Sequence, residues 1–573
     1  MAADAELLFC NGTVFDGHRF LPPGTAVRVR DGRVTRLEAE PGRPGGHAGN
    51  GQVATSPAGL ATIVDLAGGT LLPGFIDAHV HPVFAGDQLR RCDLSGALTQ
   101  REYLEIIGRY AGEYPDTEWI TGGGWSMEAF PAGVPTAAPL DAVVADRPVC
   151  LRNRDGHGVW VNTRALQLAG IDEATPDPAD GRIERDERGR PVGMLQEGAA
   201  GLVSRLIPAA TDDDWDEGLR AAQAYLVSLG ITGWQDAIIG DRPGAGDPMA
   251  AYLRAARAGT LKVTVVGALW WSRERGLDQL ADLIERRGET QRECPERFRA
   301  TTVKMMLDGV AENHTAAMLE PYLDGHGCST DVSGLDFIDP GLLPGYVTEL
   351  DHAGFQVHFH ALGDRAVRNA LDAVGAARRA SGSTGQRHHL AHLQVVHPDD
   401  IRRFAEIQAT ANIQALWAAH EPQMDELTIP FLGERRAGWQ YPFRSLAEAG
   451  ANLCAGSDWP VSSPDPLWAA HVAVNRAVPS SARASSAGGS GAESREPFLP
   501  EERLDLRTFL AAYTSGSARI NGVEASAGAI EPGLDADFAV VDADLRHVSR
   551  HEIGQATVTQ TWIRGELVYQ QGH

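Results

Sequence analysis

The sequence predicts an α/β fold: a (β/α)8 TIM barrel, a small discontinuous β-sandwich made from both termini, and a subdomain inserted after the first barrel strand. Three observations predict it. Short apolar, β-rich runs alternate with longer helical patterns through the middle of the chain. The same short strands and Gly-bearing turns occur at both ends. The interval between the first and second apolar runs, from about His81 to Ile231, is far longer than a βα connection of a few residues plus a helix.

At the N-terminus, FCNGTVFDG carries an Asn-Gly turn, AVRVRDGRVTRLE alternates apolar and charged residues around an Asp-Gly hairpin turn, and TIVDLAGGTLLPG closes the section. GAIEPGLDADFAVVDADL and TVTQTWIRGELVYQ repeat the pattern at the other end, with nothing helical expected between them. Neither piece alone can bury a two-faced sheet, so residues 1–70 and 520–573 are expected to form one composite sandwich.

The barrel is expected over 71–519, with the insert at about 90–230. Its eight strands are read in LLPGFIDAHVH, ITGWQDA, LKVTVVGAL, TTVKMMLDG, FQVHFHA, HHLAHLQ, TANIQALW and ANLCAGSD, separated by helices such as Ala366 to Ala380. The insert holds WITGGGWSMEAF, LRNRDGHGVWVNTRAL and a hairpin-like GRIERDERGRPVGMLQE. The Ser/Gly-rich stretch at 480–496 reads as a mobile, low-complexity segment.

With 573 residues, 43% hydrophobic, a sizeable core is assured. A formal charge of −25, with no Lys/Arg-rich run to reverse it locally, excludes nucleic acid and disfavours anionic membrane as partners. The first residues carry acids where a signal peptide carries bases, and no run approaches the roughly 18 apolar residues of a membrane span, so a cytoplasmic protein is expected. The six scattered cysteines form no C-x-x-C pair and read as reduced, mostly buried thiols. A homodimer is the default for a soluble enzyme.

Barrel enzymes carry their reactive groups at the C-terminal ends of the strands. The first strand ends His79-Val80-His81, where period-2 alternation turns both imidazoles to one face. Neutral imidazoles suit a zinc-like ion, although two such histidines also simply line polar strand faces. The fifth strand ends at His360, the sixth at His392 and the eighth at Asp458. Lys304 stands in the apolar fourth strand, where a buried unpaired ammonium is costly; an ion pair with Asp308 or another barrel-mouth carboxylate, or a modified or metal-engaged role, would relieve it. Jointly these residues fall at one end of five strands.

LLPGFIDAHVH, VKMMLDG, HFHALGDRA, RHHLAHLQ and CAGSDWPV together resemble the amidohydrolase superfamily. The last three are similar to amidohydrolase family 3, the branch that includes N-substituted formamide deformylases. GGGW, LDGVAENHTAAMLEPY and GAIEPGLDADFAVVD extend the resemblance over nearly the whole chain. It implies a site for one or two divalent ions, zinc first, with manganese or iron as alternatives. His79 and His81 would bind one ion, an N-carboxylated Lys304 would bridge, His360 and His392 would bind a second, and Asp458 would ligate and take a proton from water. The implied activity is hydrolysis of a non-peptide C–N bond in a small molecule: an amide, an N-substituted formamide or a cyclic amide. Ring-deaminating relatives carry His-x-x-Glu after the fifth strand, whereas Gly363 stands three residues after His360. A non-catalytic binding or regulatory protein on the same scaffold is the alternative from another class.

Among the remaining candidates, Trp125, Trp417 and Trp459 are expected to wall the substrate pocket, although any one of them could equally be plain core. His157 would reach it from the insert, or be satisfied by local backbone. His358 reads as a packed core histidine, or as a residue behind the ligands, and Asp364 as a helix cap.

Overall fold

The computed structural model describes residues 6–40, 53–55, 62–240, 246–382, 385–479 and 496–572. All but the last residue of the Ser/Gly-rich stretch at 480–496 lies outside the described residues. At its centre eight parallel strands form one sheet. They are Phe75–Val80, Ile231–Ile239, Thr264–Trp270, Phe298–Met306, Gln356–Ala361, His389–His392, Thr410–Ile413 and Asn452–Ala455. Each pairs in parallel with the next in chain order. Both faces of these strands are covered, which is why they read as near-continuous apolar runs rather than alternating ones. The helix expected between the fifth and sixth strands spans Asp364–Ser381, with Gly363 rather than Asp364 at its N-cap. The Asp364 carboxylate instead accepts the Leu319 amide at 2.8 Å and holds the loop after the fourth strand.

The ring closes between the eighth strand and the first. The Asp458 amide donates to the His79 carbonyl at 2.7 Å, and the His81 amide donates to the Trp459 carbonyl at 2.9 Å. Beneath these bonds the buried Asp77 carboxylate accepts the amides of His79 and Ser457 and the Tyr513 hydroxyl, each at 3.0 Å. Burial pushes its acid up to about 6, against the pull of those donors. Gly456 is needed here because a Cβ would sit 2.5 Å from the His79 nitrogen.

The termini meet in two packed sheets. One contains Leu7–Cys10, Thr25–Arg30, Arg33–Ala39, Val53–Thr55 and Thr62–Asp65. The other joins Thr13–Val14 and Thr70–Pro73 to Phe538–Val541, Val558–Ile563 and Glu566–Gln570. The Asp-Gly hairpin forms as read, with Asp31 at φ 52° and Gly32 at φ 74°, the left-handed pair that a tight two-residue turn requires. Between the C-terminal strands lies one 3-10 turn, Ile553–Gln555, where nothing helical was expected. The Phe9 ring meets Phe538 and Trp562 edge-on, each at 5.2 Å, so the first strand of the chain packs on the last ones.

A third body of structure sits between the first and second barrel strands. Six strands order as Gly181–Arg185, Pro191–Glu197, Gly158–Val161, Val149–Asn153, Ile120–Trp125 and Cys92–Asp93. They enclose their own core of Tyr103, Trp125, Phe130, Leu151 and Trp160. The helix Asp212–Ser228 belongs instead to the barrel's outer layer: it packs on the helix Pro82–Gln88 so closely that a Cβ on Gly86 would run into the Gly218 carbonyl oxygen. Cys92, Cys150, Cys294 and Cys454 are buried thiols, and Cys328 is exposed. Among the described residues no helix is long and apolar enough to cross a membrane.

Because Phe9 bridges the two ends of the chain, Phe9→Ala is expected to destabilise the protein by about 3–5 kcal/mol. A lowered denaturant midpoint is the expected result; an unchanged midpoint would show that the sandwich contributes nothing to global stability.

Candidate metal centre

Strand alternation and barrel closure together assemble the site. His79 and His81 leave the first strand on the same face, and the seam brings Asp458 against both: its Oδ1 lies 3.2 Å from His79 Nε2 and 3.0 Å from His81 Nε2. One donor atom from each of the three falls within 4.8 Å of the others. The His392 ring centroid is 4.7 Å from that of His79 and 4.6 Å from that of His360. Lys304 Nζ lies 3.4 Å from His79 Nε2. His392 and Asp458 hold left-handed backbones, φ 79° and 57°, a conformation disfavoured for residues with a Cβ and concentrated at functional sites. The His392 amide is caught by the Gln414 side-chain oxygen at 2.7 Å.

Burial sets the protonation states. It drives His79 down to about 3, with Lys304 adding to the effect, and holds His360 and His392 well below the ordinary histidine range. Burial alone would raise the Asp458 acid, but His79 and His81 keep it well below the usual carboxylate range. The result is a set of neutral imidazoles around an anionic carboxylate, the donor chemistry of a divalent ion. His392 gives the clearest sign of fit: it is buried, and neither ring nitrogen has a hydrogen-bond partner. A buried polar atom so left is costly unless a ligand completes it.

Around this centre other groups hold its side chains in place. The Asp308 carboxylate accepts from His360 Nδ1 at 3.2 Å and from the amides of Ala317, Leu362 and Gly363, and burial raises its acid to about 7. It thereby orients His360. His388 is used structurally, accepting the Val357 amide at 3.0 Å and bonding Asp351 at 3.0 Å. His358 and His389 lie deeper in the barrel, their rings 4.0 Å apart.

The insert delivers two more groups. The His157 ring stands 5.3 Å from that of His360, with Nδ1 at 2.9 and 3.0 Å from the Glu197 carboxylate oxygens. Burial would lower this histidine, but Glu197, aided by Asp155 and Asp458, raises it to about 9. Glu197 also accepts from Thr315 Oγ1 at 2.7 Å and holds φ 51°. Glu197 is absent from the sequence-derived candidates, where it only ends a hairpin strand; its signal is a carboxylate at the inner end of an insert strand.

Of the three tryptophans, Trp417 stacks on the His392 ring at 5.1 Å and 4°. Trp459 follows Asp458 and meets Tyr225 edge-on at 5.3 Å. Trp125 does not wall the site: its indole is fully buried in the insert core against Phe130 and Trp160, and its N–H donates to the Leu151 carbonyl at 2.8 Å. The aromatic, Gly-rich run around it packs the insert sheet instead.

The model of the amidohydrolase family matches residues 62–569. Over 577 residues the chain is 28% identical to Protein LONG AFTER FAR-RED 3 of Arabidopsis thaliana, covering 99% of this chain and 92% of that protein. It is 27% identical over 564 residues to an N-substituted formamide deformylase of Arthrobacter pascens, covering 95% of each. The fold superposes on an uncharacterized metal-dependent hydrolase of Pyrococcus horikoshii OT3 with a TM-score of 0.68 at 23% identity, covering 95% of this chain and 99% of that one. With the match spanning barrel, insert and sandwich, the chain belongs to the amidohydrolase family, hydrolases that act on carbon–nitrogen bonds.

Proposed function

We propose that the protein hydrolyses a non-peptide C–N bond in a small molecule, an amide, N-substituted formamide or cyclic amide, with Asp458 as the general base. The observation that carries this reading is the convergence of His81 and the neutral His79, His360 and His392 on anionic Asp458 at the mouth of the barrel. His79, His81 and Asp458 would hold one divalent ion, zinc in the first instance, and Lys304, His360 and His392 the remaining positions. Such an ion supplies a Lewis acid for the carbonyl and acidifies water near neutral pH.

The chain's own residues do the rest. Asp458 accepts a proton from the attacking water and returns it to the leaving nitrogen as the C–N bond breaks. His157, held by Glu197, faces the same space from above and is placed to hydrogen-bond the substrate. Trp417 and Trp459 supply apolar walls, which favours a substrate with an apolar or aromatic N-substituent. A ring-deaminating activity is disfavoured by Gly363: no acid stands there, and a Cβ would run into the Ala317 carbonyl oxygen. We assign the protein a cytoplasmic setting and a homodimeric state, with neither nucleic acid nor membrane as partner.

The test is a panel of amides, N-substituted formamides, lactams and heterocyclic amines, assayed before and after chelation and zinc reconstitution. Zinc-dependent turnover of a member of the first three classes is expected. Ammonia release from the heterocycles alone would replace the reading with deamination, and failure to take up metal or turn over any member would sink it. Asp458→Asn should lower kcat by about 10²–10⁴-fold while the protein still takes up metal; turnover like that of the wild type would remove Asp458 as the base. Glu197→Gln, which weakens a charge-assisted hydrogen bond, is expected to lower kcat/KM by about 10–100-fold, whereas an unchanged value would confine the Glu197 contact to folding.

A further inference from the structure

Behind His79, on the side away from Asp458, a line of buried side chains runs across the barrel interior to the far end of the chain. His79 Nδ1 is 2.9 Å from His358 Nε2, and His358 Nδ1 is 2.6 Å from Gln235 Oε1. Gln235 Nε2 reaches Asn521 Oδ1 at 2.9 Å and Gln356 Oε1 at 3.3 Å. Gln356 Oε1 also accepts from Thr302 Oγ1 at 2.8 Å, and Gln356 Nε2 donates to the Ile520 carbonyl at 2.7 Å. His79, His358 and Gln235 are all at most 1% exposed, so water does not offer alternative partners.

The donors and acceptors in this line can be assigned from one end. A backbone carbonyl only accepts, so the Ile520 oxygen fixes the Gln356 amide with its nitrogen toward Ile520 and its oxygen toward Thr302 and Gln235. That oxygen requires a donor from Gln235, which turns the Gln235 nitrogen toward it and leaves Gln235 Oε1 for His358. An oxygen acceptor places the His358 proton on Nδ1. His358 is fully buried among imidazoles and amides, so it is neutral, and its Nε2 is an acceptor. His79 must then carry its proton on Nδ1. The Nε2 lone pair of His79 is thereby left facing Asp458 and Lys304.

We infer that Gln235 and His358 are positioning residues that lock His79 in the Nδ1–H tautomer, so that Nε2 is presented as a metal ligand. Ligating histidines commonly donate their second ring N–H to a carboxylate, a backbone carbonyl or water. Here the partner is a second imidazole, itself held by an amide and anchored through Gln356 to the carbonyl that ends the helix Ser517–Ile520. The inference rests on the metal centre of the proposed function, and not on its substrate.

Zinc affinity, measured by chelator competition on the full-length protein, tests it without reference to turnover. Gln235→Leu removes the acceptor and is expected to weaken zinc about 10–100-fold with a melting temperature showing a folded protein. Gln235→Glu keeps an acceptor on His358 Nδ1 and is expected to recover most of that loss. Wild-type affinity in folded Gln235→Leu, or equal weakness of the folded Leu and Glu variants, would overturn the relay. Should the Leu variant not fold, spectra of the zinc-loaded wild type labelled with 15N-histidine decide: protons on Nδ1 of His79 and His358 support the assignment, and a proton on Nε2 of His358 overturns it. A wild-type protein that takes up no zinc overturns the metal centre and this inference with it. Zinc uptake without turnover of any amide counts against the proposed substrate class and leaves the relay supported.

Discussion

The site depends on the closing of the barrel between its eighth and first strands. His79 and His81 lie on one side of that seam and Asp458 on the other, so the three donors become neighbours only when the ring is complete. The two strands pair through the residues that carry the chemistry: the Asp458 amide bonds the His79 carbonyl, and the His81 amide bonds the carbonyl of Trp459. Asp77 ties both sides below, and the C-terminal helices contribute Tyr513 to the same carboxylate. Forming the seam and forming the centre are therefore one event, and the residues after the barrel are part of it.

Desolvation then decides what the assembled groups can do. Imidazoles taken from water into a barrel interior lose the proton that would compete with a cation, and Lys304 nearby adds repulsion in the same direction. A carboxylate in the same interior would be expected to protonate. The electrostatic influence of His79 and His81 holds Asp458 well below the usual carboxylate range against burial, whereas burial raises Asp308 in spite of the three backbone amides it accepts. Two buried acids thus acquire different duties: one is an anion at the centre, the other a brace for His360.

Much of this is legible along the chain because it depends on local pattern. The run from Phe75 to His81 shows both an apolar strand and two imidazoles on one face, and Asp458 follows a short apolar strand in the position where barrel enzymes place reactive groups. The hairpin at Asp31 and Gly32 is legible because only a few residues tolerate that turn. The surroundings of the ligands are not legible in the same way. Alternation puts His358 on the same face as His360, but whether it braces a ligand or fills the core depends on Gln235, more than a hundred residues away in sequence. Trp125 shows the converse: an aromatic residue in a Gly-rich run reads as pocket lining, yet packing within the insert claims it entirely.

The pairing of His157 with Glu197 lies furthest from what a linear pattern can reveal. Glu197 belongs to the insert, Thr315 to the loop after the fourth barrel strand, and His360 to the fifth; they meet because the insert sheet ends over the barrel mouth. Glu197 holds φ 51° there, a backbone disfavoured for residues with a Cβ. The residues of the proposed centre come from barrel strands and their adjoining loops, and the group facing them from above comes from the insert. Variation in the insert can therefore change the space above the barrel mouth without disturbing the seam that assembles the centre.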